Sequence, residues 1–188
     1  MTPQPNFGDC PIGPGQYWTP TNSSLGITRQ EAEFLAKTYW GVAKDGTLRA
    51  YKIVKNADSI TLTSRYLCKP STSAGRSQYD VLLATADTGP VAGAVDDTYP
   101  GGVPAGKWFR LCVYAQKIKL RLGTTSDTRC TITVGQVIVC NADDGMFWLQ
   151  DSTAANAAVQ NRVGRCLTAT TNGVDNGNYI DCELNLAF

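Results

Sequence analysis

The chain has 188 residues, enough for one or two domains, and with 18% charged residues and a net charge of +1 its bulk charge points to no polyanionic partner. It contains no histidine, which removes the commonest acid–base catalyst and the commonest transition-metal ligand. No apolar run approaches the about 18–20 residues of a membrane-spanning helix, the first residues lack the basic and apolar regions of a signal peptide, and abundant Val, Thr, Gly and aromatic residues predict a mainly β fold.

Residues 1–27 stand apart by composition, with five of the nine prolines, four glycines and one charge, Asp9. Such a segment stays extended and closes no core of its own. It reads either as a flexible tail or as an arm docked on its own domain or on a neighbouring subunit. Phe7, Tyr17 and Trp18 are its candidate anchors, since aromatic side chains supply much of an interface's affinity.

Residues 28–59 read as a connector. Thr28-Arg29-Gln30-Glu31 matches a capping box and predicts a short helix from Thr28, with Gly41 able to end it. The rival is a turn followed by a strand over 38–43. Asp45-Gly46 predicts a hairpin turn, and 48–54, LRAYKIV, the returning strand.

Residues 60–122 and 123–188 read as two copies of one small β-module, barrel- or sandwich-like. Segment 91–114 overlays segment 162–185 without a gap, matching Gly93 with Gly164, Gly102 with Gly173, Val103 with Val174 and Gly106 with Gly177. Upstream, 60–68 overlays 132–140, matching Ile60 with Ile132, Thr61 with Thr133 and Cys68 with Cys140. Two blocks in the same order point to tandem duplication. In both copies a Val precedes a four-residue turn ending in Gly, which takes φ > 0 and reverses the chain into a further strand. Strands are expected over 60–68, 76–85, 107–114, 146–150 and 178–186, with a turn at 141–145 and an Ala-rich turn of helix or loop at 154–159.

Between the copies, 116–122 (QKIKLRL) alternates throughout, with Ile118, Leu120 and Leu122 on one side and Lys117, Lys119 and Arg121 on the other. The basic side is a candidate for meeting an acidic surface. As structure, it is a half-buried strand whose lysines discourage edge pairing. No aromatic residues are interleaved in the stripe, so it does not read as a nucleic-acid groove.

Constellations that carry chemistry are missing from the pattern. Asp96-Asp97 and Asp143-Asp144 are paired carboxylates, but strand neighbours point to opposite faces and loop pairs more often mark turns. Seven cysteines, Cys10, Cys68, Cys112, Cys130, Cys140, Cys166 and Cys182, include no C-x-x-C pair and read as reduced, packed thiols. No cofactor or metal is expected, nor enzymatic activity.

The second module carries a resemblance. Val134-Gly135-Gln136-Val137-Ile138, then Asp144-Gly145, an Ala-rich stretch, Val163-Gly164 and Asn176-Gly177, resembles the head decoration (cement) proteins of tailed bacteriophages. Residues 65–68 and Ala92-Gly93-Ala94-Val95 repeat the pattern loosely. The resemblance implies a non-enzymatic virion protein on the outer capsid surface, assembled in the host cytoplasm. It would cement neighbouring copies of a major capsid protein, often as a homotrimer, with no nucleic-acid or membrane partner. Phe7, Tyr17, Trp18, Lys117, Lys119 and Arg121 are then the candidate contacts with capsid or neighbour. The alternative is a receptor- or glycan-binding module of a head or tail appendage, with Trp40, Tyr99, Trp108 or Trp148 stacking on a sugar.

Overall fold

A computed structural model describes residues 10–20, 27–73, 77–85, 90–123, 132–140, 145–149, 162–169 and 179–186. The expected class holds: among the described residues there is one short helix in a mainly β fold. Helix α1 (Arg29–Leu35) starts at the predicted capping box, where Glu31 N donates to Thr28 Oγ1 (3.2 Å) and Thr28 N donates to Glu31 Oε2 (2.8 Å). It stops before Tyr39, because Tyr39–Val42 pairs as strand β1 instead. Helix and rival strand therefore both occur, in succession. Asp45-Gly46 makes the turn into β2 (Leu48–Asn56), with Gly46 at φ 80°.

The remaining strands are β3 (Leu67–Pro70), β4 (Asp80–Leu83), β5 (Gly93–Val95), β6 (Trp108–Arg121), β7 (Val137–Cys140), β8 (Phe147–Leu149), β9 (Arg162–Cys166) and β10 (Tyr179–Asn185). They form one ten-stranded sheet, β1-β2-β4-β3-β5-β6-β10-β9-β7-β8, with β2 also paired to β6. That extra pairing closes a ring of five strands, β2-β4-β3-β5-β6. All its pairings are antiparallel except β2–β4, which is parallel. The reason is arithmetic: an odd number of strands cannot alternate in direction all the way round.

The pairing then recurs. The second half of β6 takes the place of β2, and β8, β7, β9 and β10 follow in the order of β4, β3, β5 and β6. Cys68↔Leu83 recurs as Ile138↔Leu149, and Ala94↔Cys112 as Arg165↔Glu183. A parallel bridge between Leu122 and Phe147 stands where β2–β4 closes the first ring. The expected strands 107–114 and 116–122 are thus one continuous strand serving both rings.

Two expectations shift. The run 60–68 is not a single strand: Leu62 bridges Val103, residues 63–66 turn, and β3 begins only at Leu67. The cause is Arg65, whose backbone is left-handed at φ 69° and interrupts the extended run. Gly135 occupies the same place in the second turn at φ 87°. Cys68 and Cys140, identical in the sequence overlay, are consequently not sheet equivalents. The overlay of 91–114 on 162–185 does match the pairing register. The turns expected at 141–144 and 174–177, the Ala-rich stretch 154–159 and Cys130 lie outside the described residues.

Burial explains the sequence of β6. Trp108, Phe109, Arg110, Leu111, Cys112 and Val113 are all buried, because one face lines the first ring and the other lies under added chain. Inside are Val54, Leu62, Val81, Val95, Val103, Phe109 and Leu111. Outside, Ile12, Leu35 and Tyr39 pack on Ile53 and Trp108. Past Ala115 the cover ends, and the strand turns to the one-sided alternation of QKIKLRL, with Ile118, Leu120 and Leu122 in the second core.

Candidate functional site

The arm candidates divide. Phe7 lies outside the described residues. Tyr17 and Trp18 dock on the chain's own first ring. Trp18 N donates to Trp108 O (3.1 Å), and the two indoles meet edge to face with centroids 5.4 Å apart. Tyr17 stacks on Tyr99 at 5.7 Å, and its Oη donates to Gly102 O (3.0 Å). Tyr99 Oη donates in turn to Gln16 O (3.0 Å) and accepts from Arg110 N (3.1 Å). Ile12, 2% exposed, is part of the core. Residues 10–20 are therefore built into the fold, and a truncation that removes them would uncover Ile53 and Trp108.

The aromatic residues considered for sugar stacking also divide. Tyr99 and Trp108 are buried. Trp40 is 47% exposed on edge strand β1, tilted against Tyr114 with centroids 5.3 Å apart. The side chain of Trp148 lies outside the description.

One lysine of the basic stripe meets an acid within the chain. Strand β10 runs antiparallel to it, with Asp181 opposite Lys119. Lys117 Nζ stands 3.1 Å from Asp181 Oδ2. At 44% exposure of the lysine side chain such a pair is worth little more than about 0–1 kcal/mol. It nonetheless shortens the positive surface to its far end. There Arg121 lies over the Tyr66 ring (5.4 Å to the centroid) and Arg65 over the Tyr179 ring (4.3 Å). The sequence stripe contains no aromatic residue; the fold supplies two from other segments.

Among the described residues, the carboxylates Asp96-Asp97, read from the sequence as a turn, join Arg49 and Tyr51, which the sequence did not single out, in one polar constellation. Arg49 on β2 is 6% exposed. Its Nη1 donates to Asp96 Oδ2 (3.1 Å) and lies 3.5 Å from Asp97 Oδ1, and its Nη2 lies 3.4 Å from Asp45 Oδ2. Tyr51 Oη donates to the same Asp96 oxygen. Asp96 Oδ1 accepts from Thr98 N (3.0 Å), which folds the loop after β5. The available signal was Arg49 itself, a charge beside the apolar Leu48, Ala50 and Tyr51 of a predicted strand, which demands a counter-ion once buried.

The electrostatics follow from this packing. Burial works against the charge of Asp96, but hydrogen bonding from Asp97, the Arg49 charge and the Tyr51 and Thr98 donors outweigh it and hold its carboxyl below the ordinary range. Asp97 moves the other way, up to about 6, because it shares a hydrogen bond with Asp96, is partly buried and faces the Asp96 charge. Burial, then Asp96, raises the Tyr51 phenol. A cleft of about 210 Å³ lined by Asp45, Arg49, Tyr51, Asp97 and Thr98 opens beside the cluster. Chemically the arrangement is a fastening: one guanidinium ties the β1–β2 turn, β2 and the loop after β5.

A pH dependence follows. Asp97 has a raised folded pKa, so its stabilising contribution is full below its ordinary value of 3.8 and is lost as pH rises through about 6. Asp96 has a lowered one, so its contribution is present above the ordinary value and lost as pH falls. Asp97→Asn is expected to melt higher than wild type at pH 7 and to flatten the decline between pH 4 and 7. Melting curves across that range check it, and parallel curves for the two proteins would contradict it.

No protein-family model matches the chain, and no curated protein matches it. Among solved structures it is similar to the head fiber gp8.5 N base in bacteriophage phi29, at 11% identity and a TM-score of 0.45, over 74% of this chain and 96% of that one.

Proposed function

We propose that the chain is a non-enzymatic structural protein of a tailed-phage virion that binds the outer capsid surface and cements neighbouring major capsid subunits. The observation that carries this reading is the Arg49–Asp96–Tyr51 cluster. Among the described residues this polar constellation, although a cleft opens beside it, spends its hydrogen bonds on holding loops and strands in place. The sequence resemblance to head decoration proteins supports the same reading. A rigid sheet of two linked rings, with a docked aromatic arm, suits a part that must wedge between subunits without deforming. Many copies on a symmetric shell let modest contacts add up. A homotrimeric state and location on the capsid surface belong to the same proposal.

The test is saturable, stoichiometric binding to mature capsids, together with loss of particle heat resistance when the protein is absent. Removing residues 1–9, which carry Phe7, spares the docked segment. This truncation is expected to weaken attachment while leaving the melting temperature unchanged. Unchanged attachment removes Phe7 from the contact. Trp40, half exposed over Tyr114, favours a second reading as a glycan-binding appendage. Quenching of Trp40 fluorescence by a capsular or lipopolysaccharide glycan, with no capsid binding, would select that reading.

A further inference from the structure

The turn at residues 63–66 holds an arginine where its counterpart in the second ring holds a glycine. Arg65 sits at φ 69° and Gly135 at φ 87°. In that region an L side chain is strained by its own Cβ, so the arginine is kept against a backbone preference. What its side chain reaches is the ring of Tyr179, at 4.3 Å. The next residue, Tyr66, takes Arg121 over its ring at 5.4 Å. Arg121 N donates to Arg65 O (3.2 Å), so the two arginines are neighbours and the stacks lie side by side. The patch sits on the junction of the rings, drawing on the 63–66 turn, β6 and β10.

The backbone bond brings two cationic residues to one junction, where Asp97 is the carboxylate that feels the Arg65 charge. The Nε of both arginines is buried, and stacking engages the flat face of a guanidinium, so it is the terminal in-plane N–H groups that suit a carboxylate, which they bind as a fork. Among the described residues neither Arg65 nor Arg121 has an ion-pair partner, whereas Lys117 has Asp181. Tyr179 is 42% exposed, so the surface is open. Its border is mixed in charge: Lys119 stands before Arg121 on β6, opposite Asp181, and Glu183 lies opposite Arg165 beyond Tyr179 on β10. That border offers no unbroken positive track for a continuous polyanion such as a nucleic acid. It admits one or two isolated carboxylates.

We propose that Arg65, Tyr66, Arg121 and Tyr179 form a recognition patch for paired Asp or Glu side chains on the surface of a partner protein. This deepens the capsid-binding reading and rests on it only for the partner's identity.

The test is an NMR titration of the full chain with a capped Gly-Glu-Gly-Glu-Gly peptide at low salt, following the ring signals of Tyr66 and Tyr179. Saturable shifts of both rings are expected, with affinity weakened by about 10-fold or more in Arg121→Gln and in Arg65→Gly, the loss of one charge-assisted hydrogen bond. Arg65→Gly also relieves the turn, so loss of binding there cannot be laid to misfolding. Absent shifts, or shifts unaltered in both variants, overturn the proposal. Tighter binding of a dodecathymidylate oligonucleotide than of the two-glutamate peptide at physiological salt overturns the partner class. Peptide binding without capsid binding leaves the patch standing and removes the capsid reading. Capsid binding that both variants retain in full, without peptide shifts, does the reverse.

Discussion

Asp96→Ala is expected to lower the free energy of unfolding by about 3–5 kcal/mol, the range for removing one partner from a buried ion pair. Arg49, 6% exposed, would keep its charge and lose its nearest counter-ion, and Tyr51 would lose its acceptor. Asp97 and Asp45, at 3.5 and 3.4 Å, remain near but are more exposed than Asp96. The double variant Arg49→Met/Asp96→Leu is expected to recover most of the loss, because replacing a whole buried pair with apolar groups is often neutral. Urea unfolding of the two variants beside wild type measures both effects. A loss below about 1 kcal/mol in Asp96→Ala would show that the surface carboxylates suffice and that the cluster is not a fastening.

Gly164→Ala is the second. A Cβ at Gly164 would lie 1.8 Å from the carbonyl oxygen of Glu183, a backbone atom of the paired strand. At Gly93, its counterpart in the first ring, a Cβ would lie 2.5 Å from Cys112 O. Neither strand can accept the methyl group without separating from its neighbour. Gly164→Ala is expected to cost about 3 kcal/mol or more, beyond ordinary overpacking, and Gly93→Ala somewhat less. Gly135→Ala meets open space and bears only its left-handed backbone, so it is expected to cost about 1–2 kcal/mol. The ranking can be read from the urea midpoints of the three variants. Wild-type stability in Gly164→Ala would contradict the β9–β10 pairing itself.

These glycines show how much the sequence made legible. Matching Gly93 with Gly164 came from an ungapped overlay, and the sheet assigns both to the same close approach between strands. What the overlay gets wrong is Cys68 and Cys140. The preceding turn is set by a left-handed residue, and nothing local marks an arginine for that conformation. QKIKLRL was readable as a one-faced strand because its period is unbroken. That it continues β6 without a break was not, since the change at Ala115 depends on where the arm and α1 stop covering the sheet.

The same limit governs the site. Tyr17 and Trp18 were legible as anchors from their place in a proline-rich arm, but their partners Tyr99 and Trp108 are over eighty residues away. Lys117, Lys119 and Arg121 were legible as a charged face, while the acids that blunt it sit on β10. Arg49 with Asp96 and Arg65 with Tyr179 are long-range pairs that only the ring closure brings together. Pattern and spacing identified side chains with something to offer; register decided which of them meet one another and which remain for a partner.

The most direct measurement of the central claim is sedimentation of the purified chain with mature icosahedral capsids stripped of their surface proteins. Saturable co-sedimentation at a fixed number of copies per particle, with restored resistance of the particle to heat, is the predicted result. Capsids that remain free of the protein at saturating concentration, and no more heat-resistant than before, would contradict it.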